Sequence, residues 1–306
     1  MTDKPMTLAR TARLPVAALA VGLLLAGCAT QQTTYVVGEP AGEAPAAAPA
    51  GIVLEYKMPA GRALTYTTSE EMAQVMDVMG QAADMFMKGG GTFTFTAKGT
   101  KGQDLLLGVT IDDMSSTMSG PMGDMSPDMG PVKGKSFDMV LSPLGIEVDA
   151  SAAEAITYES ANGTSNVAPT FKLFFPDLPD RAIEIGDTWT SAATADDTSG
   201  GMNIKLGFEN VNTFEGLEIV DGMECARIKA AVTSTISGTG SQQGMDMALS
   251  GTGKGSETWY FAVKEGIYVR SVSELTYDMS IAVSAMGMTL PVTQTRKGET
   301  KLVSKK

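Results

Sequence analysis

The chain has 306 residues, with 35 acidic against 23 basic side chains and a formal net charge of −12. That balance argues against a nucleic-acid interface and against adsorption onto anionic lipid heads, both of which need clustered Lys and Arg. There is no histidine, which removes the commonest general base, every Ser–His or Cys–His nucleophile pair and most zinc sites.

The chain opens on Lys4, Arg10 and Arg13, followed by an apolar run from Leu14 to Leu25. A charged start before a short apolar core is the plan of a secretory signal. A core of about a dozen residues is too short to span a bilayer, which takes about 20. Small residues then lead into a cysteine: Leu25-Ala26-Gly27-Cys28. This run resembles the lipobox of bacterial lipoproteins at all four positions. The resemblance implies a signal peptide over 1–27, with Leu25, Ala26 and Gly27 read by the signal peptidase. It also implies diacylglycerol on the Cys28 sulfur and an acylated new amino terminus. Several acyl chains hold a protein stably where one holds it marginally. Ala29 stands where an aspartate would retain an enteric lipoprotein in the inner membrane. The resemblance therefore favours the outer membrane, facing the periplasm.

Residues 28–51 are mostly Gln, Thr, Ala, Pro, Gly and Glu. They form the expected disordered tether. Extended like polyproline, at about 3.1 Å per residue, such a segment would reach roughly 65 Å.

From Ile52 onward the pattern is of strands. Thr92-Phe-Thr-Phe-Thr alternates with period two, as do parts of 105–111, 202–208, 230–236, 259–263 and 267–275. Thr, Val and aromatics are enriched, and Gly, Asp and Asn punctuate. Residues 70–88 are ambiguous. Met72, Val75, Met76, Met79, Ala82, Ala83 and Phe86 fit a helical stripe. Gly80 would weaken such a helix by about 1 kcal/mol. A hairpin turning near Met79-Gly80-Gln81 is the favoured alternative. A short helix is expected near Ser151 to Tyr158.

The two halves look alike. Gly61-Arg-Ala-Leu-Thr answers Gly186-Asp-Thr-Trp-Thr, and Ser116-Thr-Met-Ser-Gly answers Ser234-Thr-Ile-Ser-Gly. Ser136–Val148 answers Glu257–Val269 in the same way. Gly- and Met-rich segments, 120–133 and 239–254, interrupt both halves. This predicts an internal duplication. The expected fold is all-β, with two related antiparallel units in a half-barrel or clam-like body. The first unit spans 52–165, a connector 166–185, and the second unit 186–306. The connector's prolines mark a link, and Phe171, Phe174 and Phe175 should pack on the sheets.

Gly134-Lys-Ser-Phe-Asp-Met-Val-Leu-Ser-Pro-Leu-Gly-Ile-Glu-Val and Phe175-Pro-Asp-Leu-Pro-Asp-Arg-Ala-Ile-Glu-Ile-Gly-Asp-Thr-Trp resemble runs of an uncharacterised family of secreted bacterial β-rich proteins. The resemblance covers most of 52–303. It implies no activity and no catalytic residues.

Gly134-Lys135-Ser136 and Gly253-Lys254-Gly255-Ser256 are read as hairpin connectors. They lack the upstream glycine and following helix of a phosphate loop. Met122, Met125 and Met129 form the sharpest side-chain cluster. Thioethers suit Cu(I), but methionine more often fills irregular apolar space. The Met–Gly segments also suit a mobile apolar rim around a concave sheet. Asp112-Asp113, Asp124, Asp128 and Asp196-Asp197 follow no calcium-loop spacing and read as solvated surface. Cys225, without a partner if Cys28 is acylated, reads as a buried inert thiol. No catalytic constellation and no cofactor are expected. Two functions from different classes remain: a tethered, non-enzymatic lipoprotein binding an apolar or amphiphilic molecule, or one serving a structural or protein-partner role in the envelope. A Met-lined cavity would favour the first, and face-to-face sheets without a cavity the second.

Overall fold

The computed structural model describes residues 51–306, apart from 79, 122, 125, 161, 162, 200, 201, 243 and 244. Leu25 to Cys28, Met122 and Met125 lie outside the described residues.

The chain is nearly all β. The first half contains β1 (Ala63–Val78), β2 (Gln81–Lys101), β3 (Asp104–Gly120), the two-residue β4 (Gly123–Asp124), β5 (Ser136–Leu141) and β6 (Glu147–Asp149). A small hairpin, β7 (Thr157–Ser160) and β8 (Gly163–Asn166), and a four-residue helix α1 (Ala168–Phe171) form the link. The second half contains β9 (Thr188–Ser199), β10 (Met202–Val220), β11 (Met223–Gln242), β12 (Met245–Ala262), β13 (Ile267–Val283) and β14 (Met288–Lys305).

These strands form one twelve-stranded antiparallel sheet in the order β6-β5-β3-β2-β1-β14-β13-β12-β11-β10-β9, with β4 on β3. Each half is a meander, and the last strand β14 pairs with the first, β1. The halves are therefore continuous, as in a half-barrel, rather than two leaves of a clam. The end strands β6 and β9 do not pair with each other, so the barrel is open.

Residues 70–88 form the hairpin, not the helix. Val78 pairs with Gln81, and Gly80 takes φ +82°. The Gly80 amide donates to Asp77 Oδ1 at 2.6 Å. A positive φ is cheap only for glycine, so the residue that weakens a helix here makes the turn. The helix expected near Ser151 is a single 3-10 turn over Ser151–Ala155, after which the chain enters β7. Gly134-Lys135 does lie in a turn before β5. Gly253–Ser256 does not: it is mid-strand in β12. A Cβ on Gly253 would come within 2.5 Å of the Tyr277 ring. The glycine is there so that a large ring can lie flat on the sheet. The segment 239–254 is likewise the end of β11, the hairpin and the start of β12, not a loop.

Period-two alternation sends one face of every strand inward. Two apolar clusters occupy the two ends of that inner face. One is aromatic. Phe171, Phe174 and Phe175 of the connector fill it, packing on Phe93 and Phe95 of β2, Tyr66 of β1 and Phe137 of β5. The other is aliphatic and sulfur-rich, with Met76 of β1, Ile204 and Leu206 of β10, Leu249 of β12 and Ile281 of β13. β1 and β10 are five places apart in the sheet order. Their shared cluster shows how far the sheet curls.

Candidate functional site

Between the two apolar ends the inner face turns polar, and there a cavity of about 440 Å³ opens. The register explains the space. One cross-strand row runs Glu70, Gly298, Ser273, Glu257, Ala230, Asn212 through β1, β14, β13, β12, β11 and β10. Three of its six members are Gly, Ser or Ala, too small to fill the middle of a curled sheet. Two are glutamates. The next row, towards the aliphatic end, carries Arg296, Leu275, Gly255, Val232 and Asn210. On the other side stand Thr68, Thr300 and Ser271. Met87, Phe93, Phe208, Leu275 and Phe174 supply the apolar part of the wall. Volume and mixed lining both lie in the range of small-molecule sites.

The charges in this belt are not equivalent. Arg296 Nε donates to Glu70 Oε1 at 2.6 Å, and its NH2 group reaches the same oxygen. The Glu70 charge and the Tyr277 hydroxyl hold the guanidinium above its ordinary pKa against the opposing effect of burial. Among the described residues no cation acts on Glu257. Burial pushes its carboxyl up, and a hydrogen bond from Ser271 only partly offsets this. Ser271 and Thr300 also hydrogen-bond the Tyr268 hydroxyl, and burial drives that phenol well above its usual range. Tyr66 Oη donates to the Tyr268 carbonyl at 2.8 Å and so ties β1 to β13.

Two further acids reach the cavity, Glu147 from β6 and Asp177 from the connector. Burial holds Glu147 well above the carboxylate range although it accepts from the Phe175 amide at 2.9 Å. Burial also raises Asp177 to about 6. Asp177 Oδ1 and Asn210 Oδ1 are buried without a hydrogen-bond partner.

Asp177 carries a stability prediction. Its pKa is raised from 3.8 to about 6, so the folded chain holds this proton more tightly than the unfolded one. Its contribution favours the fold below about pH 4 and is lost as pH rises towards 6. Asp177→Asn should therefore stabilise the protein at pH 7, by on the order of 2 kcal/mol, with little gain at pH 4. Urea denaturation of both proteins at several pH values checks this. A variant that is less stable at pH 7 would contradict it.

The other candidate residues fall elsewhere. Met129 is 6% exposed and lies in the aromatic-end core, as a filler would. Met76, Met202, Met247 and Met279 are buried in the aliphatic cluster, so these methionines fill the interior rather than form a rim. Asp113 is exposed and pairs with Lys133 at 2.7 Å, and Asp124 accepts from the Ser126 amide at 2.9 Å. Among the described residues no group of His, Cys, Asp or Glu could hold a metal ion. Cys225 is buried in the sheet, and burial pushes its thiol up to about 11. A thiol in that state is a poor nucleophile. Trp259 is buried, and Trp189 meets it edge-on at 6.1 Å between ring centroids.

The polar belt was missed in the sequence, although a signal for it exists. In β1 the inward positions run Leu64, Tyr66, Thr68, Glu70, Met72, Gln74, Met76, and in β14 they run Leu290, Val292, Gln294, Arg296, Gly298, Thr300, Leu302. A charged residue in phase with apolar ones marks a polar interior layer.

No protein-family model matches the sequence, and no curated protein is similar to it. Among solved structures the chain is similar to an exported protein with a YmcC-like fold from Bacteroides fragilis, at 11% identity over 83% of this chain and 99% of that one, with a TM-score of 0.27. It is also similar to an outer membrane channel from Pseudomonas putida F1, at 9% identity over 81% and 97% of the two chains, TM-score 0.26. A third similarity is to the translocator domain of the autotransporter NalP from Neisseria meningitidis, at 9% identity over 79% and 88%, TM-score 0.21. At these scores the likeness says nothing about what the chain binds or where it resides.

Proposed function

We propose that this chain is a membrane-tethered envelope lipoprotein that binds an amphiphilic molecule inside its half-barrel and performs no chemistry on it. The observation that carries the reading is the cavity of about 440 Å³. It lies in an open sheet between an aromatic and an aliphatic end, so that one bound molecule meets both polar and apolar wall. Sheets packed face to face would have favoured a purely structural or partner-binding role. The lipobox residues Leu25, Ala26, Gly27 and Cys28 support the tether and an outer-membrane address facing the periplasm. The absence of histidine and the buried state of Cys225 support a binding role over a catalytic one.

Membrane fractionation tests the anchor, and ligand binding tests the cavity. Cys28→Ser should move the protein from the membrane to the soluble fraction; a variant that stays in membranes removes the anchor. Native mass spectrometry of gently purified protein should show a bound amphiphile, and an uncharged lipophilic dye should bind with enhanced emission. Ser273→Phe, which puts a ring into the small-residue row, should abolish dye uptake while leaving the circular dichroism unchanged. The absence of both a co-purifying ligand and dye uptake in the parent protein would sink the binding role.

A further inference from the structure

The charges around the cavity bear on the head group of its ligand. The inference rests on the binding role just proposed. Five carboxyl side chains are among the lining residues: Glu70, Glu147, Asp177, Glu257 and Glu299, the last on the solvent-facing phase of β14 and paired with Arg270 at 2.8 Å. The cationic side chains among its described lining residues are Arg296 and Lys297. Neither is free. Arg296 gives both its Nε and an NH2 group to Glu70. Lys297 lies on the opposite, solvent-facing phase of β14, 3.4 Å from Glu274 and largely exposed. An anionic head entering here would meet three further carboxyls and no unpaired cation. A buried charge without a partner is costly.

The unpaired hydrogen-bonding atoms point the same way. Asn210 Oδ1 and Asp177 Oδ1 are buried acceptors of the cavity wall with no donor. Glu257 receives help from Ser271 alone. Buried polar atoms normally have partners. Among the described lining residues, the two unpartnered buried atoms are both acceptors.

We propose that the cavity selects an amphiphile whose head group donates hydrogen bonds and carries no negative charge, an amine or a hydroxyl, and rejects free fatty acid and other anionic heads. Glu257 is the residue that most favours a cationic amine. It sits in the same row as Glu70 with only Ser273 and Gly298 between them, and unlike Glu70 it has no guanidinium.

The test is competition against an uncharged solvatochromic dye. It uses purified protein carrying Cys28→Ser, so that no acyl anchor competes for the cavity. The competitors are the primary amine, the monoacylglycerol and the carboxylate of one saturated chain length. The amine and the monoacylglycerol should displace the dye at concentrations about tenfold below the carboxylate, a difference of about 1.4 kcal/mol. Glu257→Gln should cut the advantage of the amine and leave the monoacylglycerol unchanged. A carboxylate that competes as well as the amine overturns the head-group inference while the binding role stands. An amine advantage that survives Glu257→Gln unchanged overturns the assignment to Glu257. Failure of the dye itself to bind removes both the inference and the role beneath it. If Glu257→Gln does not fold, the ranking of the three competitors on the parent protein decides.

Discussion

Phe95→Ala is expected to lower the unfolding free energy by about 3–5 kcal/mol, the usual cost of removing a buried aromatic ring. Phe95 is fully buried on β2. Its ring lies 4.7 Å from Phe174 and 5.0 Å from Phe175, both of the connector, and 5.8 Å from Tyr66 of β1. The ring is thus the point at which the link between the two meanders grips the sheet. The cavity left behind would be walled by aromatics on separate elements, which cannot collapse together without moving the connector. Phe86, on the same strand but 55% exposed, supplies the control: Phe86→Ala should change stability by less than about 0.5 kcal/mol. Urea denaturation of the two variants checks the contrast. Equal losses would mean that the connector does not close the aromatic end. Because Phe174 and Phe175 flank the cavity, Phe95→Ala should also weaken dye uptake without touching the polar belt.

The second large effect is expected at the ion pair of the belt. Glu70→Ala should cost about 3 kcal/mol. The loss arises less from the missing attraction than from Arg296, which is left four-fifths buried with its charge facing the cavity. Removing both partners should cost far less. Glu70→Leu combined with Arg296→Met replaces two buried charges by apolar groups of similar size, and such replacements are often neutral or stabilising. A double-mutant cycle read by chemical denaturation separates the two cases. A loss below about 1 kcal/mol for Glu70→Ala would mean that the pair behaves as an exposed surface bridge and that water fills the belt freely. The same variant frees the guanidinium. In the competition experiment, Glu70→Ala should therefore improve displacement by the carboxylate relative to the parent protein.

Much of the fold was legible because strand identity is a local property. Thr92-Phe-Thr-Phe-Thr alternates in the sequence and alternates in burial on β2. The connector phenylalanines pack because a Pro-bounded apolar run between two β segments has nowhere else to go. The hairpin at Gly80 was decidable because a glycine that is poor in a helix is good at positive φ. Cys225 is the buried thiol expected of it. Gly253–Ser256 was misread as a turn for a related reason. Glycine marks either a turn or a close approach, and nothing within the chain segment says that Tyr277, on the neighbouring strand, will lie over it.

The sequence by itself determined the period-two strands and the apolar and aromatic composition of the interior. These need only neighbours along the chain. Only the tertiary structure decided that the two halves share one open sheet, that β14 closes onto β1, and that Glu70, Gly298, Ser273 and Glu257 fall in one row. The physical reason is register. A shift of one residue in any pairing would turn a whole strand face over. The cavity and its charge therefore belong to the alignment of distant strands, about which each strand alone says nothing.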